Sequence, residues 1–131
     1  MIYLDASALV KRYVEEAGSD VVAESMRTAA RWSMCRIGFV ETARAVARGG
    51  AFEDVERLRR DWERVDVIEL DQSLAEAAAA LAVDHRLRTL DALHLAAALT
   101  LDDAPTFATW DVRLHHAARE HGLRTLPASL G

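Results

Sequence analysis

The chain has little that would staple or anchor it. Cys35 is the single cysteine among 131 residues, so no internal disulfide exists, and a lone thiol fits a reducing cytoplasm. Lysine is equally scarce: Lys11 is the only one, and every other basic side chain apart from histidine is an arginine. No apolar run is long enough to span a bilayer. No basic segment precedes the short apolar run at the N-terminus, which excludes a secretory signal there. Bulk positive charge is missing as well. The formal net charge of -5 argues against a protein that coats nucleic acid electrostatically. It is compatible with an acidic site that acts on a phosphate backbone through bound cations. A P-loop is excluded because no Gly-Lys-Ser/Thr loop occurs.

What is present suits one globular domain over residues 1–131. Hydrophobic residues make up 51% and charged residues 28%, enough for a core at this length. Alanine-rich runs such as "EAAAALAV" and "HLAAAL" favour helix. "IYLD" has the pattern of a buried strand and "ASALVKRYVEE" that of the helix after it, with Leu9, Val10, Tyr13 and Val14 at helical spacing. Ser19 is placed to cap a second helix, "DVVAESMRTAA". "WSMC" predicts a second strand, and "RIGFVETARAVAR" a helix stopped by Gly49 and Gly50. "FEDVERLRRDWERV" predicts a charged helix and "DVIEL" a third strand. Two more helices follow, "DQSLAEAAAALAVDHR" and the nearly all-apolar "TLDALHLAAALTL". "PTFAT" predicts a fourth strand, "DVRLHHAAREH" a helix ended by Gly122, and "LRTL" a short last strand. Strands alternating with helices predict an α/β fold: a three-layer α/β/α sandwich with a mainly parallel sheet of four or five strands. Ligands then bind at the carboxyl ends of the strands.

Four acids fall where such a site would form. Asp5 ends strand one, Glu41 lies early in the helix after strand two, Asp91 sits in the first turn of the apolar helix, and Asp111 follows strand four. Each has a plain structural explanation. Asp5 and Asp111 suit caps, Glu41 suits a boundary position, and Asp91 suits the helix macrodipole with Thr89 as the cap. Together they converge on one side of a parallel sheet, where they would repel and raise one another's pKa. Hard divalent cations relieve that repulsion, and an all-oxygen set favours Mg²⁺ or Mn²⁺. Two such ions roughly 4 Å apart activate a water and stabilise the leaving oxygen in phosphodiester hydrolysis.

At this point "YLDASALVKRY", "ETARA", "RTLDALHLAAAL" and "FATWDVRL" resemble the PIN-domain family, and within it the VapC-type toxins of toxin–antitoxin pairs. The resemblance covers nearly the whole chain. It implies a Mg²⁺- or Mn²⁺-dependent endoribonuclease whose acidic positions fall on Asp5, Glu41, Asp91 and Asp111 and hold one or two ions. Ser7 and Thr109 match the hydroxyl positions that line the family's site and take a supporting role. Hydrolysis of this kind leaves 5′-phosphate and 3′-hydroxyl ends and needs no 2′-OH as nucleophile. The resemblance also implies an RNA substrate, homodimerisation and a cognate antitoxin. Among Leu9, Tyr13, Val22 and Met26 of the first two helices, any side chains left outside the core would line the antitoxin's groove. His94 is read as a hydrogen-bonded core histidine. His85, His115, His116 and His121 lack metal-ligand spacing, and the tryptophans are read as packing residues.

Rival enzymes are poorly served. Phosphatases with a nucleophilic aspartate after strand one want a second aspartate where Ser7 stands, and they want a later lysine, as receiver domains do. A catalytically silent binding module on the same fold, and a PIN-fold nuclease acting on other nucleic acid, stay as alternatives.

Overall fold

A computed structural model describes all 131 residues. Five strands form one all-parallel sheet: β1 (Ile2–Leu4), β2 (Trp32–Cys35), β3 (Val65–Ile68), β4 (Thr106–Ala108) and β5 (Arg124–Leu126), in the order β3-β2-β1-β4-β5. Seven helices connect them: α1 (Ala6–Leu9), α2 (Ser19–Thr28), α3 (Ile37–Gly49), α4 (Phe52–Trp62), α5 (Gln72–His85), α6 (Thr89–Leu99) and α7 (Val112–Glu120). The chain winds outward from β1 through β2 to β3. It then crosses back to β4 and winds the other way. β1 and β4 are therefore neighbours whose connections leave in opposite directions, the switch point at which open α/β sheets bind ligands.

The period-2 alternation of the strands builds a core on each face. Ile2, Leu4, Trp32, Met34 and Ala108 pack with Leu9, Val22, Met26, Val46 and Leu58 from α1–α4. Tyr3, Cys35 and Phe107 pack with Leu74, Leu95, Leu114 and Ala118 from α5–α7. The Tyr3 and Phe107 rings stack at 5.3 Å across the β1–β4 register. Residues Ala92 to Ala98 of α6 are all buried, which explains its near-continuous apolar sequence. No helix is long and apolar enough to cross a membrane.

Local details differ from the sequence expectation. The first helix does not run on to Glu16; after one turn it tightens into a 3₁₀ segment, Val10–Arg12. Lys11 causes the change: its stem is buried, and its ammonium donates to Ala17 O at 2.8 Å and to Glu16 at 3.0 Å, folding the following loop back on the helix. Ser19 is not the cap of α2. Gly18 holds that position at φ 94°, and Ser19 Oγ instead accepts from Glu16 N and donates to Val14 O. A side chain at Gly18 would also press within 2.8 Å of the Trp110 ring, so this turn needs glycine. Arg88, not Thr89, occupies the cap position of α6. The charged helix α4 stops at Trp62, because Val65 pairs with Trp32 and starts β3 earlier than its sequence suggests.

Candidate active site

The β1–β4 ladder positions the first acid. Asp5 N donates to Ala108 O at 3.1 Å, extending the ladder one residue past Leu4. That registers Asp5 beside Thr109. Thr109 Oγ1 donates to Asp5 Oδ2 at 2.5 Å, Ser7 Oγ donates to Oδ1 at 2.7 Å, and Ala8 N donates to Oδ1 at 2.9 Å. Asp5 thus caps α1 as its local position predicts, yet it is only 3% exposed and both its oxygens are fixed. Ser7 Oγ in turn accepts from Trp110 N at 2.9 Å, and Thr109 Oγ1 accepts from Asp111 N at 3.1 Å. The two hydroxyls therefore lock the turn after β4 against the turn after β1. Asp111 caps α7 through Leu114 N at 2.9 Å, leaving its other oxygen facing the site.

Arg88 joins two of the acids. It donates from Nε to Asp91 Oδ2 and from its terminal nitrogen to Asp111 Oδ2, both at 2.9 Å. Glu41 is oriented from the opposite side. Tyr3 Oη accepts from Cys35 N at 2.9 Å, so its proton goes to His94 Nδ1 at 2.7 Å. Nε2–H of His94 is then left to donate to Glu41 Oε1 at 2.6 Å. His94 is 1% exposed. It is a satisfied core histidine, as expected, and it also grips a carboxylate of the site.

All four acids line one cavity of about 220 Å³ with Ala6, Ser7, Arg88, His94 and Trp110. Burial pushes the Asp5 carboxyl up, against the bonds from Thr109, Ser7 and Ala8. Burial also raises Asp91; the Arg88 hydrogen bond opposes it, and the Asp111 charge adds to it. Desolvation leads at both, and the mutual repulsion expected from the sequence is seen at Asp91, which the Asp111 charge raises. The donor chemistry suits a hard divalent cation. As arranged, however, no three of these side chains close at coordination distance. Each acid has protein partners instead: Arg88 bonds both Asp91 and Asp111, His94 bonds Glu41, and three donors hold Asp5 with acceptor capacity to spare.

Arg88 and Tyr3 were not expected here. Arg88 stands three residues before Asp91, a spacing at which opposite charges meet on a helix. Tyr3 is a buried phenol in an apolar strand, and such a hydroxyl needs a partner. The other histidines stay outside: His85 contacts His121 at 2.9 Å, His116 contacts Glu120, and His115 contacts Pro127 O. The tryptophans pack as expected. Trp32 is buried, Trp62 meets Phe39, and Trp110 lies between Gly18 and Lys11. Leu9, Tyr13, Val22 and Met26 are all buried in the core, so none remains to line a groove. The exposed apolar side chains of α2, α3 and α4 are Val21, Val40 and Phe52.

A doubly wound parallel sheet with a carboxylate pocket at its switch point defines a class, and the comparisons name it. The PIN domain family model matches residues 2–120. The chain belongs to the PIN-domain family and, within it, to the VapC ribonucleases. It is 34% identical to Ribonuclease VapC49 of Mycobacterium tuberculosis, over 99% of this chain and 97% of that protein. It is 40% identical to Ribonuclease VapC35 of the same species, over 90% of each. In structure it resembles a toxin–antitoxin complex from Klebsiella pneumoniae, with a TM-score of 0.69, 18% identity, and coverage of 86% and 88%. It also resembles the M. tuberculosis sarcin–ricin loop cleaving toxin VapC20, with a TM-score of 0.66, 14% identity, and coverage of 95% and 85%.

Proposed function

We propose that residues 1–131 form a single nuclease unit, the toxin of a type II toxin–antitoxin pair, acting in the cytoplasm. Its reaction is hydrolysis of RNA phosphodiester bonds at the pocket of Asp5, Glu41, Asp91 and Asp111. The observation that carries this reading is the pocket itself: four carboxylates from four separate segments line one cavity at the switch point. The names of the relatives support the choice of RNA.

In this reading the four acids hold one or two Mg²⁺ or Mn²⁺ ions, partly through water. When bound, the ions supply a water of lowered pKa and neutralise charge on the phosphate. The protein's own residues set the geometry. Asp5 is the rigid ligand, because Ser7, Thr109 and Ala8 fix both its oxygens. His94 aims Glu41. Asp91 and Asp111, now bonded to Arg88, would hold the cation from the α6 and α7 side. Water attacks the phosphorus and the 3′ oxygen leaves, so the products carry 5′-phosphate and 3′-hydroxyl ends and no 2′-OH is needed as nucleophile. An antitoxin docks near the N-terminal helices, with Val40 and Phe52 as the apolar side chains on offer there, and the toxin forms a homodimer.

The test is RNA cleavage by purified, partner-free protein in Mg²⁺, Mn²⁺ or EDTA, with Asp91→Asn beside the parent. Cleavage that needs the metal and disappears in the folded variant is expected. Equal cleavage by parent and variant, or none by the parent with any metal, would contradict the proposal.

A further inference from the structure

The acid pocket is flanked on both sides by arginine-lined cavities that share its walls. On the α3 side, a cavity of about 310 Å³ is lined by Glu41, Arg44 and Arg48 and by Ala6 and Ser7 of the pocket. On the α7 side, a cavity of about 450 Å³ is lined by Arg86 and Arg113 and by Arg88, Asp91, Trp110 and Asp111 of the pocket. The three form one furrow, basic at each end and acidic in the middle.

The four flanking arginines are distinguished by their place. Some surface arginines find carboxylates, as Arg27 does with Glu24, Arg31 with Asp66 and Arg36 with Glu69; Arg60, Arg64, Arg119 and Arg124 are exposed without an ion pair and lie off the furrow. Arg44, Arg48, Arg86 and Arg113 are exposed and form no ion pair. In a chain of net charge -5, leaving free guanidinium groups along one furrow favours a polyanion there. Arg44 and Arg48 lie one helical turn apart on α3. Arg113 donates to Arg86 O at 2.9 Å, which holds the other pair together.

Backbone geometry adds an independent observation. Arg86 follows α5 in the left-handed region at φ 54°, and its N–H closes the helix onto Ala82 O. Glycine is the usual residue at such a helix end, because an L side chain is strained there. The Arg86 side chain at this turn lines the α7-side cavity.

We infer that this furrow is a track for single-stranded RNA, with phosphates on one side of the cut held by Arg44 and Arg48 and phosphates on the other side held by Arg86 and Arg113. The central cavity is small, about 220 Å³, and charged grooves of this kind track the backbone of a single strand. The inference rests on the proposed nuclease reading for the identity of the strand.

Binding of a short labelled single-stranded RNA is measured by anisotropy against salt, with Ca²⁺ in place of Mg²⁺ and the strand checked for intactness. Each pair variant, Arg44→Ala with Arg48→Ala and Arg86→Ala with Arg113→Ala, is expected to reduce the salt slope by about 1.4, the share of two phosphate contacts to a single strand. The same variants lose about tenfold in affinity at low salt. A control pair, Arg60→Ala with Arg124→Ala, lies off the furrow and should bind as the parent does. Arg86→Gly should melt higher than the parent yet bind RNA more weakly. Unchanged binding in both furrow pairs, an equal loss in the control pair, or no binding by the parent overturns the track, as does tighter binding of duplex than of single strand. Cleavage by the parent is read separately. A parent that cleaves while the furrow variants bind normally refutes only the track. A parent that binds along the track but never cleaves refutes only the nuclease reading.

Discussion

Two arginine–aspartate sites in this molecule use the same groups to opposite ends. At the first, Asp61 accepts from Arg12 Nε and from Tyr13 Oη, both at 2.8 Å, and joins α4 to the 3₁₀ turn. At the second, Arg88 alone serves Asp91 and Asp111. One carboxylate with two donors is over-satisfied. Burial pushes Asp61 up, but the two hydrogen bonds outweigh it and hold the carboxyl below the usual range. One guanidinium between two carboxylates falls short, and Asp91 stays raised. Exposure follows the same division: the Arg12 side chain is 25% exposed and the Arg88 side chain 76%. The first site is a clamp. The second is a cluster with unmet negative charge, and unmet charge is what draws a cation.

The largest expected effect comes from Asp5→Asn. Removing one fixed carboxylate should lower RNA cleavage about a thousandfold, since electrostatic stabilisation at the phosphate depends on the bound cation. Stability should change by less than about 1 kcal/mol, because the amide ends the cost of burying that charge. Steady-state cleavage and urea unfolding of the same preparation check both halves. The clamp should behave the other way round. Asp61→Ala leaves the half-buried Arg12 and the buried Tyr13 without their shared acceptor, and should cost about 1–2 kcal/mol in urea unfolding. Its cleavage rate per folded molecule should match the parent.

These contrasts separate what the sequence carries from what only the fold supplies. Asp5, Asp91 and Asp111 were legible because strand ends and helix starts show in local pattern, and parallel topology brings those ends together. Both expectations for Asp5 hold at once: it caps α1 and it faces the pocket. The parallel sheet covered by helices followed from strands separated throughout by helices; its strand order, with β4 returning beside β1, did not. Lys11 was not legible as a helix breaker, since lysine favours helix and only its buried contacts with the next loop end α1. The partners of Glu41 were hidden for a related reason. His94 and Tyr3 lie 91 residues apart and meet only where α6 packs on the sheet. Arg88 was legible in principle from its spacing to Asp91, but nothing local shows that it also reaches Asp111. Burial of all of Leu9, Tyr13, Val22 and Met26 was hidden because a helical stripe does not reveal how much of it the core takes.

A smaller effect sharpens the comparison. Arg88→Ala removes the internal counter-ion of Asp91 and Asp111, and Mn²⁺ should then bind about tenfold tighter. Thermal stability should barely move, since the guanidinium is mostly solvated. Calorimetric titration in dilute buffer reads the first and a melting curve the second. The smallest effect is the pH dependence of the clamp. Asp61 has a folded pKa below its unfolded value, so its stabilisation is present above the unfolded carboxylate range and is lost as pH falls through the folded value. The stability gap between parent and Asp61→Asn should therefore narrow as the pH of urea unfolding is lowered from neutrality into that range.

The central claim is that the under-neutralised cluster at the switch point is a divalent cation site. Titrating Mn²⁺ into the purified protein and following the free ion by electron paramagnetic resonance tests it without any substrate. The account predicts saturable binding by the parent and its loss in Asp91→Asn with the fold intact. Equal binding by both proteins, or no saturable binding by the parent, would contradict it.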